Sequence, residues 1–172
     1  MEMPLWKARL SFKVLVTFFL MLTGVGYLFG LVNIWNNTGF SFTGMVVHYR
    51  GDMEAMTLPP EFAFARLIHE HHVHLFSLSM LFFLVGRIFI HTSLSEIVKA
   101  FLVAMPFLAL FLDFASFWLL VFAAPLFAWF SIIFGSLMAF SFFMLIGRPL
   151  YEMWVLPVWH RKWGEQIPWF LK

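Results

Sequence analysis

Residues 67–76 read Leu67-Ile68-His69-Glu70-His71-His72-Val73-His74-Leu75-Phe76, and the apolar run continues through Met80-Leu81-Phe82-Phe83-Leu84-Val85-Gly86 to Ile90. After the histidines the run carries one charge, Arg87. At 1.5 Å per residue it crosses a hydrocarbon core of about 30 Å as a single helix. Four imidazoles and a carboxylate occupy six positions at the mouth of that helix. Histidine titrates near neutrality and is the commonest metal ligand, so at a membrane boundary it can bind metal, carry haem or move protons.

The rest of the chain has the same character. Of 172 residues 62% are hydrophobic and 12% charged, and mean hydropathy is +0.88. These values lie outside the range of water-soluble domains and predict one compact membrane domain, residues 1–172. With no cysteine, disulfides, c-type haem attachment, thiolate catalysis and cysteine-ligated metal centres are excluded. The net charge of +2 comes from basic residues at segment ends; membrane orientation accounts for them, and nucleic acid is not an expected partner.

Hydropathy predicts four spans, near 14–35, 67–90, 97–119 and 126–146. Lys7, Arg9 and Lys13 before the first resemble the start of a secretory leader, but the apolar stretch is long for one and lacks a small-residue cleavage site. The expected fold class is therefore all-α, an integral membrane four-helix bundle. With both termini cytoplasmic, Lys7, Arg9, Lys13, Arg87, Lys99, Arg148, Arg161, Lys162 and Lys172 lie inside, and Arg50 and Arg66 outside. That distribution follows the positive-inside rule and turns the histidine cluster to the outside, which is the periplasm if the membrane is a bacterial inner membrane.

Short links join the last three spans and make them antiparallel neighbours. The segment 36–64 is too long for a turn, and its Leu58-Pro59-Pro60 forbids continuous helix, so it is expected to cap the outer end. Gly147-Arg148-Pro149 is expected to break the fourth helix. The tail beyond it, with Trp154, Trp159, Trp163 and Trp169, suits the headgroup zone.

Small and polar residues mark helix contacts in lipid. Thr23, Gly26 and Gly30 form one such stripe; Ala128, Ser131, Gly135 and Ala139 form another. Pro106, Ala109, Asp113 and Ser116 share a face of the third span, and Ala65, His72, Ser79 and Gly86 recur every seven residues in the second. The expectation is that His72 and Asp113 face inward at similar depth and meet, with His69 close by and His71 and His74 pointing elsewhere.

Four chemistries fit these residues. A copper, iron or zinc ion could take His69 and His72, with His48, Glu70 or Asp113 completing an N/O sphere. Haem b near the outer face could use His72, His69 or His74 with His48 as axial partner. A quinone or proton site could use His72 and Asp113 as acid–base groups, with Tyr49 or Arg50 orienting a carbonyl. Alternatively the same groups only bond helices together in a structural or assembly subunit. The leading expectation is an electron-transfer subunit with other membrane or periplasmic subunits as partners. Ion transport is disfavoured because the polar stripe ends halfway.

His48-Tyr49-Arg50-Gly51, His72-Val73-His74-Leu75-Phe76 and Asp113-Phe114-Ala115-Ser116-Phe117-Trp118 resemble small four-helix bacterial inner-membrane proteins over most of the chain. That resemblance implies the topology and a bacterial source, and brings no activity or site with it. The chain does not resemble four-helix dihaem cytochromes, which need paired histidines on both sides of the membrane.

Overall fold

A computed structural model describes residues 5–51 and 60–158. Four helices are long and apolar enough to cross a membrane: α1 (Leu10–Thr38), α3 (Pro60–Phe89), α4 (Glu96–Phe122) and α5 (Phe127–Leu150). A short helix, α2 (Phe42–Arg50), stands between the first two. There is no strand among the described residues, and the chain is an all-α, multi-pass membrane bundle.

α4 and α5 form the central hairpin, with the most extensive contact in the molecule; α3 packs against both, and α1 against α5. Phe82, Val85 and Phe89 of α3 meet Ala109 and Leu110 of α4 and Phe142, Leu145 and Ile146 of α5 in one core. Phe142 is its hub, stacked on Tyr27 of α1 at 4.2 Å and tilted against Phe82 at 6.1 Å. As the spacing predicts, Pro106, Ala109, Asp113 and Ser116 are all buried.

α1 ends where Gly39 takes a left-handed conformation (φ 60°) and its N–H bonds Trp35 O, a glycine helix stop. Ser41 caps α2 by accepting from Gly44 N at 3.0 Å. A Cβ on Gly44 would lie 1.9 Å from Thr38 O, so only glycine lets α2 fold back this tightly. Met45 and Val46 then seat α2 on Leu120 and Ala128 where α4 meets α5. This is the cap expected from the long segment. α3 opens at Pro60, where proline's missing N–H costs no helical bond.

Two sequence expectations fail here. Gly26 and Gly30 touch no neighbour: a Cβ on either would meet nothing within 4 Å, and the outer half of α1, including Leu28, Phe29, Val32 and Trp35, is exposed. Small residues mark a surface able to pack closely, not the helix that packs on it. Nor does Gly147-Arg148-Pro149 break α5. The helix runs through Pro149 and widens into a π turn, Tyr151–Val155, in which Leu156 N bonds Tyr151 O. One looser turn lets the chain continue past the proline with its backbone groups paired.

Glu152, on that turn, is fully buried and closes the end of the bundle opposite α2. It accepts from Arg148 Nε at 2.8 Å, and from Ser93 N and Oγ at 2.9 and 2.8 Å. The α3–α4 link is thereby tied to the end of α5. Lys13 Nζ donates to Met153 O at 3.1 Å and Trp154 Nε1 to Thr17 Oγ1 at 2.8 Å, bringing the start of α1 to the same place. Trp159, Trp163 and Trp169 lie outside the described residues.

Candidate functional site at the α2 end

α2 lies across the bundle end, so its last turn delivers His48, Tyr49 and Arg50 beside the start of α3. The Tyr49 ring lies 4.6 Å from Phe117, and the Arg66 guanidinium sits 5.1 Å over the Tyr49 ring. Arg66 binds Glu70 at 2.8 Å, donates to His48 O at 3.2 Å and also reaches His48 Nε2. Guanidinium only donates, so Nε2 must accept and the ring proton sits on Nδ1. Burial first, then the Arg66 charge, pushes the His48 pKa below its ordinary value, against a smaller upward pull from Glu70. Burial, with the Glu70 charge second, pushes the Tyr49 phenol well above its usual range. Both side chains are therefore neutral at pH 7. Arg50 Nη1 is buried without a hydrogen-bond partner among the described residues.

The four histidines of α3 divide in two. His71 faces the bundle, against Phe114 at 4.2 Å and Trp118 at 5.9 Å. Its Nδ1 lies 2.7 Å from Leu67 O and its Nε2 3.3 Å from Phe114 O. A neutral ring donates to the nearer carbonyl; only the imidazolium would bond both. His74 is exposed, and its Nδ1 donates to Glu70 O at 2.8 Å. His69 and His72 are exposed, as are Ala65, Phe76, Met80 and Phe83 of α3. Neither makes a hydrogen bond to a described residue.

The expectation that His72 faces inward fails, and it is His71, expected to point elsewhere, that lies against α4. The side of α3 turned to the bundle is Leu67, His71, Leu78, Phe82, Val85 and Phe89, at spacings of four, seven, four, three and four. Hydropathy cannot separate that series from the seven-residue one, because lipid and protein core are equally apolar. Asp113 does not meet His72 either. It is buried between α4 and α5, where Oδ1 accepts from Ser131 Oγ at 2.5 Å. Ser131, part of the expected α5 stripe, was missed as its partner because the depth argument favoured an imidazole over a hydroxyl.

Among the described residues no three His, Asp or Glu side chains converge to hold a metal ion. His69 and His72 share a face, but His48 is held by Arg66, Glu70 by Arg66, and Asp113 by Ser131. For haem, no contact among the described residues pairs His48 with His69, His72 or His74: Arg66 takes His48 Nε2, His74 Nδ1 bonds Glu70 O, and all three α3 rings are exposed. The Arg148–Glu152–Ser93 cluster escaped sequence reading because it joins residues 55 and 59 positions apart.

A family model for a transmembrane helical domain, Aq_1264_TM, matches residues 39–160, which takes in α2 through the π turn and leaves out α1. No curated protein and no solved structure matches the chain.

Proposed function

The chain belongs to the Aq_1264_TM family of transmembrane helical domains, and on that premise we propose that it is a non-catalytic assembly subunit of a larger complex in a bacterial inner membrane. The carrying observation is the division of its polar side chains. Most of those facing the bundle are bonded inside it: Asp113 to Ser131, His71 to Leu67, Glu152 to Arg148 and Ser93; Arg50 Nη1 and Thr92 Oγ1 are the buried exceptions among the described residues. Those left over lie on outer faces: His69 and His72 on α3, and Asn33 and Asn37, bonded to each other at 3.3 Å, on the exposed half of α1. Polar groups and glycines turned to lipid forgo packing and hydrogen bonds that a partner helix supplies. The charge pattern sets the α2 end, and with it the histidines, on the periplasmic side.

A redox role is the second reading, and one observation favours it: the His69 and His72 imidazoles are unengaged and one helical turn apart. Haem b or a metal ion held there would need further ligands from outside the described residues, and electron transfer would run through that outer face. The quinone reading lacks the His72–Asp113 dyad that the sequence suggests for it, since Asp113 accepts from Ser131 and His72 is exposed.

Extraction of the tagged chain, without a polyhistidine tag, into polymer-bounded native membrane discs tests the assembly reading. The expected result is a particle of higher mass than one 20.2 kDa chain, with a stoichiometric companion polypeptide or further copies. Discs holding a single chain alone would overturn it.

A further inference from the structure

The seven-residue series of α3 has a use that the bundle does not make of it. Ala65, His72, Ser79 and Gly86 alternate with His69, Phe76, Phe83 and Ile90 at spacings of four and three, the a/d pattern of a two-stranded coiled coil. From Ala65 to Phe83 most of this seam is exposed, with Phe76 76% exposed, Phe83 60%, and Ala65, His69 and His72 exposed as well; Ser79 is half-buried. It runs about 27 Å, nearly the thickness of a bilayer core. At Gly86 it turns inward, the glycine packing near Val103 of α4, because a 3.6-residue helix drifts about 20° per heptad against a 3.5-residue repeat.

A parallel pair of such helices stacks each a residue on its equivalent and each d residue on its own. His69 and His72 occupy adjacent a and d positions, so two copies related by a membrane-normal two-fold axis place four imidazoles in neighbouring layers. Within one copy, no group of three ligating side chains exists among the described residues. Two imidazoles are half of a tetrahedral set, and the second half is supplied by the same residues of an identical chain. Ala65 above the histidines permits close approach, and the turn of the seam at Gly86 ends the contact before Arg87 would face Arg87.

We propose that His69 and His72 form half of a divalent transition-metal site of the zinc type, completed by the same two residues of a second copy packed along the outward heptad seam of α3. The proposal deepens the assembly reading and rests on it, naming one partner and one ligand.

The test uses the full chain carrying no polyhistidine tag, stripped of metal and reconstituted in lipid nanodiscs, with Zn²⁺ and then Co²⁺ as probes. Expected are one ion per two chains by elemental analysis, a metal-dependent shift from one to two chains per particle, and the visible absorption of tetrahedral Co²⁺. His69→Ala and His72→Ala should each abolish stoichiometric binding, while His74→Ala retains it. These positions are exposed, and circular dichroism checks that the variants fold. One ion per single chain, or binding that survives both substitutions, overturns the proposal. So does a two-chain particle that binds no metal, though it leaves the assembly reading standing. A single chain in native discs removes both.

Discussion

Arg66 of α3 grips His48 of α2 twice, through the ring Nε2 and, at 3.2 Å, through the backbone carbonyl, while its Nε binds Glu70 at 2.8 Å. One guanidinium thus fastens the capping helix to the first turns of a spanning helix. Arg66→Ala should loosen α2 by about 1–2 kcal/mol, the low end for a charged donor because the pair is partly solvated. Amide hydrogen exchange in α2 should quicken while exchange in α5 stays unchanged. Arg66→Lys should not restore protection, because an ammonium lacks the planar fork.

The same contact carries a pH dependence. His48 has a folded pKa below its ordinary 6.5, so the unfolded chain binds its proton first. The stabilisation is complete above pH 6.5 and is lost as pH falls through the lowered folded value. A protonated His48 would also face Arg66 with like charge. Protection of the α2 amides should therefore decline on acidification below pH 6.5, and His48→Gln should flatten that decline.

Asp113 and Ser131 should be energetically coupled. Ser131→Ala strips a buried carboxyl of its donor and should cost about 1–3 kcal/mol. With Asp113→Ala added, the total should fall short of the sum by roughly 1 kcal/mol, measured by reversible unfolding in detergent. Asp113→Ala and His72→Ala should add within about 0.5 kcal/mol, because the two side chains share no contact. Strong coupling of Asp113 with His72 would restore the inward-facing His72 that the sequence suggests.

The opposite end of the bundle depends on Glu152. Removing the carboxylate by Glu152→Ala takes away the acceptor shared by Arg148 Nε and the Ser93 N–H and should cost about 3–5 kcal/mol, as for other broken buried ion pairs. Glu152→Gln keeps an acceptor for Ser93 and should cost less. Thermal unfolding in detergent ranks the two variants.

How far the sequence reveals this molecule depends on which physical signal each feature leaves. Spans, their antiparallel order and the capping segment leave strong ones: long apolar runs, short links, and the prolines Pro59 and Pro60. The inward face of α4 is legible because Pro106, Ala109, Asp113 and Ser116 are small or polar against a Phe- and Leu-rich background. α3 is not, since its buried series of Leu67, Leu78, Phe82, Val85 and Phe89 is as apolar as its lipid-facing one. On the proposed assembly reading the seven-residue repeat marks a face that a second chain covers, and no signal in one chain distinguishes that helix from one of its own. Contacts such as Glu152 with Ser93 depend on the fold bringing distant loops together, and no local pattern announces them.

The central claim is that His71 turns into the bundle while His72 turns out towards a partner. A photoreactive amino acid placed singly at position 71 or 72, and irradiated in native membranes, tests it most directly. The account predicts discrete intermolecular adducts from position 72 and none from position 71, whose products stay within the chain. Intermolecular adducts from position 71, with position 72 joined only to α4 of its own chain, would contradict it.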